Sequence, residues 1–167
     1  MRYKKLLEGC QKYHFLNLKK YDHYYYYYMA KKNWFAWKSP ELPISEVKLL
    51  FNEFIKKWDF HFRGDPERFL RIYPEVYQRI NNLETEKIEN INLDNKKKEV
   101  ISTIFDKVAD CTNEGRFEAV DASKILHTIL PNLIIMWDNK ICKGILGTDR
   151  KKKGRNYAYN FLPKIWA

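Results

Sequence analysis

The clearest apolar pattern in the chain is the stripe Val47, Leu50, Phe51, Phe54, Ile55 and Trp58, at i, i+3, i+4, i+7, i+8 and i+11. That spacing predicts a helix with one face in a core, and Ser45 stands where a hydroxyl can cap its first turn. Gly64 can close this helix, and Asp65 followed by Pro66 is an N-cap and first-turn pair for the next. Phe69, Leu70 and Ile72 carry that helix to Pro74, where the missing N–H predicts a break and a second short helix with Val76, Tyr77, Ile80 and Leu83. Residues 84–95 are mostly polar and read as a loop. Asp94 then opens a helix with Val100, Ile101, Ile104, Phe105 and Val108 inside, ending near Gly115.

A second pattern runs from Val120 to Leu146. Asp121 is placed to cap a helix whose apolar face is Ile125, Leu126, Ile129 and Leu130, and Pro131 stops it. Leu133 to Trp137 follow without a charged residue, and Asp138 then stands at the mouth of another helix that ends toward Gly144 and Gly147. At the front, Leu6, Leu7, Cys10, Tyr13 and His14 share a helical face, and at the back Tyr157, Tyr159, Phe161 and Leu162 lie on a last helix that Pro163 can bend. No segment alternates with period two for long, and no Asn-Gly or Asp-Gly hairpin signal occurs. The expectation is an all-α, compact single domain over residues 1–167 with about seven to nine helices.

Charge changes this picture by its distribution. The formal net charge is +10, of which residues 1–38 contribute +7, residues 139–167 another +7, and residues 39–138 contribute −4. If the two basic ends meet in the fold they form one positive face, which suits a polyanion; a solvated surface is the plainer alternative. The loop from Thr148 to Arg155 is the densest cationic stretch, with Arg150, Lys151, Lys152, Lys153 and Arg155. No apolar run approaches the ~20 residues that span a bilayer, and the first residues lack a secretory pattern. Cys10, Cys111 and Cys142 show no CxxC or metal-ligand spacing. A reduced, intracellular (cytoplasmic) protein with no membrane partner is expected.

Aromatic residues cluster near the positive N-terminal region. Tyr24 to Tyr28 are five consecutive tyrosines, followed by Trp34, Phe35 and Trp37 and interleaved with Lys19, Lys20, Lys31, Lys32 and Lys38. Five rings in a row cannot all face a core. Exposed rings can stack on bases while lysines bind phosphates, or the rings can pack under a neighbouring helix with their hydroxyls in water. Catalytic motifs are sparse: no Gly-x-Ser-x-Gly, P-loop or GxGxxG occurs, and His14, His23, His61 and His127 are scattered. No metal and no cofactor is expected. His127 reads as a half-buried helix residue giving a hydrogen bond. Asp138 stays open between two roles, a helix N-cap and a carboxylate tuned by an apolar setting to act as a general base.

The pattern Ala122-Ser-Lys-x-Leu-His, then Pro-x-Leu, then Met-Trp-Asp-Asn-x-Ile resembles the later half of a helix–hairpin–helix DNA glycosylase domain, over residues 115–146. The resemblance implies a DNA-binding hydrolase of base repair, with Asp138 matching the catalytic Asp and Ala122 the small residue that packs the hairpin helix. Val120 falls where lyase-active members place a nucleophilic Lys, which implies at most a monofunctional glycosylase using water. The hairpin GRFEAV carries only Gly115 where the family uses two glycines. On this reading DNA is the partner, contacted by Lys31, Lys32, Lys140, Lys143, Arg150, Lys151, Lys152, Lys153 and Arg155. Trp137, Tyr25 and Trp34 are the candidates to stack on a flipped base. The alternative is a module without chemistry that binds nucleic acid or a protein partner, in an accessory or defence-related role.

Overall fold

The computed structural model describes residues 19–88, 90–111, 117–147 and 153–166, with the side chains of 19–21, 139–140 and 166 left aside. Seven helices and no strand form among the described residues. They are α1 (Lys19–Lys31), α2 (44–58), α3 (Pro66–Ile80), α4 (Asn95–Ala109), α5 (Ala119–Ile129), α6 (Asn139–Leu146) and α7 (154–166). Two of them contain a wider π turn, Leu50–Ile55 in α2 and Tyr157–Phe161 in α7. The all-α expectation holds for these residues. Those on residues 6–18 and on the GRFEAV hairpin fall wholly or partly outside them.

The caps and breaks explain most of the boundaries. Asp65 accepts hydrogen bonds from the backbone N–H groups of Glu67 and Arg68 at 2.9 and 3.3 Å, and Asp94 accepts from Lys97 at 2.8 Å. Pro131 lies just past the end of α5, and Gly147 ends α6 with φ +73°, the left-handed conformation that glycine adopts without strain. Four expectations are corrected. Gly64 does not close α2, which ends at Trp58 with Asp59 in the C-cap position. Helix α2 starts one residue before Ser45, with Pro43 in the capping position, so Ser45 is an exposed first-turn residue. Asp121 does not cap α5: it is a buried residue inside the first turn, behind Glu118. Pro74 does not break α3, because Phe69, Tyr73, Val76 and Ile80 form one buried stripe across it while Pro74 itself faces solvent. Burial of that stripe outweighs the one backbone hydrogen bond that proline removes.

Helix α4 is the hub, packing against α3, α5 and α7. Its Ile101, Ile104, Phe105, Val108 and Ala109 are buried. A second centre is aromatic: Trp37, Phe51, Phe62, Phe69 and Tyr73 meet edge to face or tilted at centroid distances of 5.0–6.2 Å. The phenol of Tyr73 donates to the Trp37 carbonyl at 2.5 Å and ties the turn after α1 to α3. Helix α1 rests on the π turn of α2, while α6 rests on the π turn of α7. Among the described residues, α1 and α6 therefore dock onto different elements.

The approach of α7 to α4 is closed by Gly154. A Cβ there would stand 2.0 Å from the Ser102 carbonyl oxygen, and the Gly154 N–H donates to the Asp106 carboxylate at 2.7 Å. Gly154→Ala is therefore expected to force α7 off α4 and to lower stability by about 1–3 kcal/mol, read as a drop in the urea midpoint.

Candidate functional site

Between α5 and α6 the chain runs from Ile134 to Asp138 in no helix, with Ile134 and Trp137 buried. Its backbone is held by side chains from other elements. The Tyr157 hydroxyl donates to the Ile135 carbonyl at 2.7 Å and accepts from the Ile135 N–H at 2.9 Å. Ser123 Oγ accepts from the Trp137 N–H at 2.9 Å, and its own hydrogen faces the Val120 carbonyl at 2.7 Å. His127 lies 2.6 Å from the Ile134 carbonyl through Nδ1, which must carry the proton because a carbonyl only accepts. Nε2 is then the acceptor for the Tyr25 hydroxyl at 3.1 Å. Burial pushes the His127 pKa below its ordinary value, in keeping with this neutral form.

At the end of this segment Asp138 has extended backbone, and its Oδ1 accepts from the Ile141 N–H at 2.7 Å. Its backbone carbonyl accepts from Cys142 at 2.9 Å. This is the geometry of an N-cap. Lys143 is exposed one turn on. A cavity of about 230 Å³ opens elsewhere, between Trp34, Trp37, Tyr77 and the end of α5, and Asp138 does not line it.

The expected contact residues separate into groups. Lys31 is exposed, with Nζ 4.1 Å above the Tyr27 ring and bonded to its hydroxyl at short range. Lys153 and Arg155 are exposed, and Arg155 lies 5.2 Å from the Tyr159 ring, which Lys98 also approaches. Arg150, Lys151, Lys152 and the side chain of Lys140 lie outside the described residues. Two residues expected on the surface lie inside. Trp137 is 1% exposed, and its ring stacks on Tyr157 at 5.1 Å and meets Phe105 and Phe161, so both faces are committed to the core. Lys32 is buried beneath Trp34, donating to the Thr128 carbonyl. Of the stacking candidates, Tyr25 is half-buried against Phe54 and His127, and Trp34 is 40% exposed.

Helix α5 also holds a buried ion pair that the capping expectation for Asp121 does not anticipate. Lys124 Nζ lies 2.7 Å from Asp121 Oδ1, both side chains almost wholly buried, with Asp59 Oδ2 at 3.9 Å and the Trp58 ring at 5.8 Å. Its signal was present in the sequence as an Asp and a Lys three apart on an otherwise apolar helix. Ser123 and Tyr157 left no such signal, since their role depends on the path of residues 134–138.

Burial raises the Asp121 carboxyl from 3.8 to about 6, against the pull of Lys124. A folded-state pKa above the unfolded one gives stability that is full below the unfolded value and is lost as pH rises through the folded one. The wild type is therefore expected to lose stability between about pH 4 and pH 6 through this group, and Asp121→Asn to remove that slope, in urea unfolding measured across the range. Tyr157→Phe is expected to cost at least about 2 kcal/mol in the same assay, because it leaves both polar groups of Ile135 unpaired. No family model matches the chain, and comparison with curated proteins and with solved structures returns no match.

Proposed function

We propose that the protein binds DNA, as single strands, through the aromatic and cationic surface of α1 and the turn after it, with Asp138 serving as a helix cap. The carrying observation is the partition of the tyrosine block. Tyr28 is fully buried and stacks on Phe54, whereas Tyr26, Tyr27, Trp34 and Phe35 are 65%, 37%, 40% and 88% exposed. Lys31 stands over the Tyr27 ring, and Lys57, which also pairs with Glu53 at 2.5 Å, lies 6.0 Å from the same ring. Large exposed rings beside lysines fit unstacked bases, which every aromatic face can accept, with phosphates at the ammonium groups. The formal charge of +10 suits a polyanion. The excision chemistry implied by the glycosylase resemblance finds less support, because the Asp138 carboxylate faces its own helix amide and its neighbour Trp137 has no free face.

The reading is tested with a single-stranded oligonucleotide titrated at several salt concentrations. Binding is expected to weaken steeply as salt rises, and Lys31→Ala to reduce the slope of log K against log salt by about one. Tyr27→Ala and Trp34→Ala are each expected to weaken binding roughly five- to hundredfold at fixed salt. Asp138→Asn should leave affinity unchanged. An absence of binding even at low salt would sink the proposal, and base release that disappears in Asp138→Asn would restore the catalytic reading.

A further inference from the structure

Lys32 is the first residue after α1, and its ammonium is unusually placed. Nζ donates to the carbonyl of Thr128, in the last turn of α5, and lies 4.0 Å from the Trp34 ring and 5.1 Å from the Trp37 ring. Among the described residues no carboxylate lies within ion-pair distance of it, and Glu46 acts on it only through its field. A lysine this buried is ordinarily paired with an acid. This one instead lines the cavity of about 230 Å³ whose walls include Trp34, Tyr77, Ile80, Ile129 and Leu130.

The cavity has the chemistry of a site for a neutral, flat molecule. Its apolar wall is formed by Ile80, Ile129 and Leu130, and an indole, Trp34, closes one side. The other charges on the lining are already matched or repel an anion. Lys38 pairs with Glu84 at 2.6 Å, and Glu86 pairs with Lys97 at 2.5 Å. The acceptor left for Lys32 by the protein is one backbone oxygen, which does not hold an ammonium as a carboxylate does.

We propose that Lys32 is a nucleophilic amine and that the cavity beside it admits a neutral aromatic aldehyde, with which Lys32 forms a reversible imine. The lone pair on Nζ attacks the carbonyl carbon and gives a carbinolamine. The carbon–oxygen bond then breaks, and the oxygen leaves as water with the two hydrogens that the neutral amine carried. Atoms balance without an oxidant or reductant, and hydrolysis reverses the step. Desolvation is the usual way a lysine is prepared for this chemistry. Burial lowers the Lys32 pKa to about 7, so at neutral pH its neutral fraction exceeds that of an ordinary lysine by roughly a thousandfold. The titratable and charged groups around it are Glu46 on α2, His127 on α5 and the Lys38–Glu84 pair, and Glu46 alone draws the value back up. The proposal does not rest on DNA binding.

The test is reductive trapping on the full chain. Benzaldehyde and cyanoborohydride are added at pH 7, and the benzylated lysines are located by peptide mass mapping. Lys32 is expected to be modified at least about tenfold faster than its exposed neighbours Lys31 and Lys38, part of the thousandfold gain being offset by weaker nucleophilicity and restricted access. Its rate should rise between pH 6 and 8 and then level, while that of Lys31 keeps climbing above pH 9. Lys32→Arg keeps the positive charge and should remove this one fast site without altering Lys31 or Lys38. Ile129→Trp, which fills the cavity, should slow Lys32 alone; if that variant unfolds, the wild-type rates and pH profile still decide. Lys32 labelling no faster than Lys31, or climbing with pH as Lys31 does, would overturn the proposal.

Discussion

Residues 134–138 carry peptide groups into the interior without a helix to pair them, and most of the architecture around them answers that constraint. A buried N–H or carbonyl left unpaired costs about as much as a lost hydrogen bond or more. Helix α5 supplies Ser123 to Trp137 and His127 to Ile134, and α7 supplies the Tyr157 phenol to both polar groups of Ile135. These bonds fix the direction in which α6 begins. They also place the Tyr157 ring so that Trp137 and Phe105 stack on it at 5.1 and 4.7 Å. Helix α7 can reach that position only because Gly154 lets it lie against the backbone of α4.

The same constraint puts Asp138 in the N-cap position of α6. A carboxylate that follows a buried extended segment meets the free amides of the next helix, and one of its oxygens is taken by Ile141. The residue before it, Trp137, is held by packing on three aromatic neighbours and leaves no face for a ligand. Packing occupies the Trp137 ring, although its indole Nε1–H is buried without a hydrogen-bond partner, and the exposed rings lie on α1 and the turn after it. There α1 presents rings and cations outward, and Lys32 beneath Trp34 lines a cavity.

The tyrosine block shows how a helix sorts identical residues. On α1, Tyr28 falls toward the π turn of α2 and is buried against Phe54, Tyr25 reaches His127 with its hydroxyl, and Tyr26 and Tyr27 face outward. Both fates foreseen for a run of five rings, packing under a neighbour and exposure beside lysines, occur within one helix. Lys31 and Lys32 divide in the same way. One residue step at the end of the helix, where the Lys32 N–H still bonds to the Tyr28 carbonyl, separates an exposed cation over Tyr27 from a buried one over Trp34.

Local rules written in neighbouring residues were legible in the sequence. The stripe from Val47 to Trp58, the caps at Asp65, Asp94 and Asp138, and the stop at Pro131 all depend on spacing or on a side chain meeting its own helix. So did the half-buried hydrogen-bonding role of His127. Where the sequence misled, packing had won: core burial carried α3 through Pro74, and α5 starts at Ala119, which puts Asp121 inside its first turn, buried against Lys124. A catalytic role for Asp138 depends on groups brought from elsewhere in the fold, which no local pattern encodes; beside it the fold places the Ile141 amide and the Trp137 ring. The inward turn of Lys32, the pairing of Ile135 by Tyr157 and the fit of Gly154 on Ser102 join residues 22 to 96 positions apart. Such contacts are created only when the helices pack, so the tertiary structure alone could decide them.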